Sequence, residues 1–203
     1  MLFKKQASKT ILFFILSIFI ASCAGPKVSR VGTDTVTDLS GRWNDTDSRL
    51  VAEEMVKEAL SRPWIDNYTK KHGKQPIVIV GTVLNRSHEH INVQTFTKDL
   101  ERELTNSGRV QFVASKGERE ELREERVDQA QHAADETIKG PGKEIGADYM
   151  LKGTINTILD EAKGTKVIFY QVDLELIDIG KNIKVWFGQK KIKKVIERSR
   201  ANF

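Results

Sequence analysis

Four histidines and one cysteine are the residues of this 203-residue chain best suited to metal or nucleophilic chemistry. The densest group is Ser87-His88-Glu89-His90. Two histidines two apart share a face if the backbone is extended, and together could chelate a cation. A zinc site needs three or four ligands, however, and His72 and His132 have no ligand spacing around them. The group reads as a solvated loop, so neither a metal nor a cofactor is expected. No G-x-S-x-G elbow and no phosphate-cradling glycine loop occurs in the sequence. The carboxylates of 118–125 alternate with arginines, the pattern of a charge-paired helix face rather than of an isolated acid/base dyad. These residues predict a protein that is not an enzyme.

The lone thiol has a different context. Lys4, Lys5 and Lys9 precede an apolar run from Ile11 to Ile20, followed by the small residues Ala21 and Ser22 and then Cys23. The run is too short to span a bilayer, which takes about 20 apolar residues. A basic start, a short apolar stretch and a small-residue end define an export signal. Ile20-Ala21-Ser22-Cys23 resembles the lipobox of bacterial lipoproteins, which implies cleavage after residue 22 and acylation of Cys23. Several acyl chains satisfy the need for more than one in stable anchoring. Ala24 stands where, by the rule of that class, an aspartate would retain the protein in the inner membrane. The resemblance therefore implies the outer membrane, with the domain facing the periplasm. With one cysteine there is no internal disulfide, and the fold must rest on its own core.

Processing alters the charge. The formal net charge of +5 includes the three leader lysines, so a processed chain keeps +2, and the pI of about 9.2 overstates how basic it is. A nearly balanced surface argues for a soluble monomeric domain and against nucleic-acid binding. Removing 22 of 203 residues leaves 181, enough for one domain of ordinary size. The expected organisation is a leader over 1–22, a lipidated end and tether over 23–40, and a single domain over 41–203. Fully extended, the residues of 24–40 reach at most about 60 Å.

Within the domain, apolar spacing predicts a helix beginning near Asp45–Ser48, with Leu50, Val51, Met55, Val56, Ala59 and Leu60 on one face. Pro63 opens a second short helix ending near Gly73. Ile77–Leu84 reads as a central strand covered on both faces. A helix with Val93, Phe96, Leu100 and Leu104 inward is closed by Gly108, and a strand follows over Arg109–Ala114. A charged surface helix occupies 116–139, broken by Gly140-Pro141-Gly142, with a short helical turn near Lys143–Gly146. The last third alternates as three strands, the final two joined across Ile179–Asn182. The class is α+β, a mixed sheet of about five strands with helices packed on it.

Alternation places Val167 and Phe169 on the second sheet face, and Trp186 with them if Val185 and Phe187 point inward. Coverage of that face by helices is the expectation. The alternative is an exposed aromatic patch, with Phe169 and Trp186 as partner contacts. The run Lys190-Lys191-Ile192-Lys193-Lys194 suits either anionic headgroups and wall polymer or a strand edge guarded against pairing.

The segments Leu39-Ser40-Gly41-Arg42-Trp43-Asn44-Asp45-Thr46-Asp47, Ile79-Val80-Gly81-Thr82, Gly146-Ala147-Asp148-Tyr149 and Lys184-Val185-Trp186, together with the lipobox, make the chain resemble the LpoB family of penicillin-binding-protein activators. The resemblance covers nearly all of the processed chain. It implies a fold like the amino-terminal domain of TolB. It also implies an outer-membrane lipoprotein that docks on a bifunctional class A penicillin-binding protein, stimulating glycan polymerisation and cross-linking. The best-known members carry a long Pro-rich tether, and this chain a short one. The competing reading is a structural or secretion-associated lipoprotein that self-assembles.

Overall fold

The computed structural model describes residues 27–139, 142 and 144–197. The leader, Cys23, and the Gly140-Pro141 pair expected to break a helix lie outside these residues. Two units are distinguished, 1–35 and 36–203. In the first, the described residues are exposed, and Thr35 N–H donates to Gly32 C=O at 3.1 Å.

The second unit is α+β. Helix α1 (Asp45–Leu60) is capped one residue earlier than its sequence suggests. Asn44 Oδ1 accepts from Asp47 N–H and Asp47 Oδ2 accepts from Asn44 N–H, both at 3.0 Å. This reciprocal pair satisfies two otherwise orphaned donors. Pro63 precedes α2 (Trp64–His72), which stops at Gly73 in left-handed backbone, φ 66°. Strand β1 (Ile77–Arg86) leads to α3 (Val93–Asn106), β2 (Gln111–Phe112) and α4 (Lys116–His132). Strands β3 (Tyr149–Ala162), β4 (Thr165–Asp178) and β5 (Ile183–Glu197) complete the chain.

The sheet order is β2-β1-β3-β4-β5. Strand β1 runs parallel to β2 and β3, whereas β3, β4 and β5 form an antiparallel meander. The parallel pairs explain why helices lie between these strands in the chain, since a parallel neighbour needs a crossover. The antiparallel strands run 14, 14 and 15 residues and, unlike the parallel ones, can be joined by short turns. Lys163 and Gly164 turn β3 into β4 with φ 48° and 86°, matching the right-handed twist of the flanking strands.

Helices α1, α2 and α3 pack on one face only. Ile155, Ile168, Tyr170 and Val172 of the sheet and Val51, Phe96 and Leu100 of the helices are fully buried there. Burying such a side chain contributes roughly 1.5–3 kcal/mol. The opposite face lacks this cover: Ile158 is 66% exposed, Phe187 57% and Val195 57%. The expectation that helices would cover both faces is thus corrected. Strand β1 likewise buries Val78, Val80 and Val83 on one side while Leu84 stands in solvent.

Two further expectations change. The strand over 109–114 shrinks to two ladder residues, although Gln111 N–H and Val113 N–H still donate to Pro76 and Val78 carbonyls. The charged helix ends at His132, where Ala133 is extended, and 144–146 form no helical turn. Among the described residues, no helix is long and apolar enough to cross a membrane.

Candidate functional site

The histidine loop after β1 is built for support. Asn85 Oδ1 accepts from Ser87 N–H at 2.9 Å and from its hydroxyl at 2.6 Å, while Asn85 Nδ2 donates to Glu89 C=O at 2.8 Å. This local network turns His88 toward Thr157, with Nδ1 to Oγ1 2.7 Å, and leaves His90 exposed. Glu89, between them, points inward. Its Oε1 accepts from the Tyr170 hydroxyl at 2.8 Å and its Oε2 from Trp43 N–H at 3.1 Å. No set of three His, Cys, Asp or Glu placed to hold a metal occurs among the described residues. Burial, reinforced by the Glu89 carboxylate, raises the Tyr170 pKa far above its ordinary 10.0. A hydroxyl fixed in its neutral form is a structural donor.

The run 190–194 splits by strand alternation into two chemistries. Lys190 and Lys194 face the helices. Lys190 pairs with Glu54; Lys194 Nζ lies 2.6 Å from both Asp38 and Asp47 and donates to Arg42 C=O at 3.1 Å. Burial alone would lower the Lys194 pKa, but its hydrogen bonds to the two carboxylates outweigh it and the net direction is upward. This cluster straps 38–42 onto β5, and Trp43 then wedges edge-on against Phe96 and Tyr170. Sequence reading missed the strap, because a lysine inside a basic run gives no sign of carboxylates about 150 residues away.

Lys191 and Lys193 occupy the opposite, uncovered face, and neither forms an ion pair among the described residues. Phe169 lies directly opposite Lys193, half-buried on that face as expected. Trp186 does not join it. Leu176 pairs with Trp186 and Ile177 with Lys184, so Val185 is an extra, bulged residue. One inserted residue moves following side chains to the other face. Trp186 is therefore buried with the core, its Nε1 donating to Glu58 at 3.1 Å. Gly188 makes room for the indole, since a Cβ there would overlap the ring.

The middle of the uncovered face is polar. Asp173 accepts from Gln171 Nε2 at 2.9 Å, Gln189 Nε2 at 2.8 Å and Asn156 Nδ2 at 3.4 Å. Apolar side chains flank this ladder, with Ile158, Val167, Phe169 and Val195 on one side and Leu84 and Phe187 on the other. The arrangement offers shape, charge and apolar surface for a protein contact.

Fold and site together make a one-sided mixed sheet with a packed helix layer and an open face. The chain's family is equally plain. Residues 47–192 match the family model described as "Peptidoglycan-synthase activator LpoB", and the chain belongs to that family, a regulatory rather than catalytic one. A search of curated protein sequences returns no match. Among solved structures, the LpoB C-terminal domain from Escherichia coli is similar, with 16% identity and a TM-score of 0.46, covering 73% of this chain and 99% of that one. Lipoprotein GNA1162 from Neisseria meningitidis has 16% identity and a TM-score of 0.37 over 62% and 88% of the two chains. A PelC dodecamer from Paraburkholderia phytofirmans has 14% identity and a TM-score of 0.32 over 59% and 72%.

Proposed function

We propose that this protein is a non-catalytic, lipid-anchored activator that docks on a bifunctional class A penicillin-binding protein and raises its activity. The observation that carries the reading is the family match over 47–192, a span that includes the helix layer and most of the open sheet face. Anchoring rests on the leader over 1–22 and acylation of Cys23, with 23–40 as tether, placing the domain in the periplasm at the outer membrane. Phe169 belongs to the contact surface in this reading; Trp186, being buried, does not.

An activator without chemistry of its own works by binding the active conformation of its target more tightly than the inactive one. A tenfold rise in the active fraction of a rarely active enzyme takes about 1.4 kcal/mol of differential affinity. An interface of ordinary size can supply that difference from a few side chains.

The test is co-purification from cross-linked envelopes, with mass spectrometry of the N-terminus in the same preparation. The reading expects a class A synthase in the complex and a diacylglyceryl, N-acylated Cys23. Recovery without any synthase would overturn the function, and an unmodified thiol would overturn the anchoring.

A further inference from the structure

We infer that the free edge of β5 is the docking line, and that it takes an extended, acidic segment of the synthase as an added strand. The inference rests on the proposed function, since it names the surface by which that partner is met.

Strand β5 ladders only with β4 along its length, and its other edge has no strand partner among the described residues. Half the backbone donors and acceptors of such a strand point away from the sheet, ready to pair. The 15-residue edge is guarded against pairing by the bulge at Val185 near its start and by lysines beyond it, so a strand that pairs with it has to bring opposite charge. On the uncovered face this edge carries Lys191 and Lys193, neither matched by a carboxylate among the described residues, and then Val195. Behind them lie the half-buried Phe169 and the exposed Ile158.

Alternate residues on one face of a strand are about 7 Å apart, so the edge reads out a pattern. An antiparallel segment with an apolar residue beside Val195 and acidic residues beside Lys193 and Lys191 would match it position for position. Opposite charges directly across strands stabilise pairing and like charges oppose it. The same rule argues against a second copy as occupant, because two β5 edges pairing about Ile192 would set Lys191 against Lys193 twice.

The experiment measures binding of the full-length lipoprotein in detergent to the synthase ectodomain, for wild type and K191E/K193E, with K116E on α4 as control. A photo-cross-linker at position 191 in otherwise wild-type protein gives a second readout independent of charge reversal. The inference expects about tenfold weaker binding for the double variant and none for the control. It also expects cross-links to a synthase segment rich in Asp and Glu. Wild-type binding that K191E/K193E leaves unchanged, with no cross-link from 191, would overturn the edge while sparing the proposed function. Failure of wild type to bind the synthase would remove both. Two other outcomes would overturn the inference: loss of binding to phosphatidylglycerol vesicles alone, which assigns the lysines to lipid, or a sedimenting dimer that the variant dissolves.

Discussion

The two faces of the sheet obey opposite rules although they share the same backbone. On the helix-covered face every second residue of β4 from Ile168 to Leu176 is buried, and two of the polar groups admitted there are paired, Tyr170 with Glu89 and Trp186 with Glu58. On the uncovered face, Asp173 gathers amides in the open, apolar side chains stand in solvent, and Lys191 and Lys193 are unpaired among the described residues. One face holds the fold together, and little folding energy depends on the other.

Substitutions should therefore grade by face. Phe96→Ala, at a fully buried ring against Trp43, should lose the most, about 3–5 kcal/mol in urea unfolding, from lost transfer energy plus the residual cavity. Lys194→Met should follow at about 3 kcal/mol, because Asp47 then keeps a buried charge without its cation. A loss under 1 kcal/mol would mean the strap adds nothing to the helix-covered face.

Buried proton-holding groups shape the alkaline limit, Tyr68 and Tyr149 among them, both raised in pKa by burial. Tyr170 and Lys194 both hold their protons more tightly when folded than their ordinary values of 10.0 and 10.5. Their contribution is complete below pH 10 and declines as pH rises through the folded values. Thermal melts from pH 8 to 11 should show this decline, flattened in Tyr170→Phe/Lys194→Met.

A smaller effect belongs to α4. There Glu118 accepts from Ser115 N–H and pairs with Lys98, which lowers its pKa from 4.5 to about 2. Its carboxylate is nearly half exposed, so solvent screening discounts the effect to less than about 1 kcal/mol. The sign is that of a depressed acid: stabilisation is present above pH 4.5 and lost as pH falls toward 2. Glu118→Gln should fray α4 in hydrogen exchange without moving the global transition. Smallest of all, Phe187→Ser on the uncovered face should change stability by no more than about 0.5 kcal/mol. A large loss there would break the division between the faces.

Element order was legible because the first three helices show an apolar period and a stop signal, as at Pro63 and Gly73, whereas α4, with no buried residue, ends at His132 without one. Three features were not legible. The bulge at Val185 inverts Trp186, and nothing in Lys184-Val185-Trp186-Phe187 distinguishes an extra residue from regular alternation. Strand β2 pairs only with Ile77 and Val78 although β1 runs on to Arg86, an extent set by tertiary packing rather than by residue type. The bareness of the second face was hidden because Val167 and Phe169 are apolar, and an apolar residue on an open antiparallel sheet looks the same in sequence as one beneath a helix. For the site, strand alternation placed Phe169, whereas the inward role of Glu89 and the strap on Lys194 depend on residues far apart in the chain.

The central claim, activation without catalysis, is tested most directly by the glycan-polymerisation rate of a class A synthase titrated with this lipoprotein. The account predicts a rate that rises and saturates at the same concentration as binding, with no turnover by the lipoprotein alone. A complex that forms to saturation while the rate stays at its basal value would contradict it.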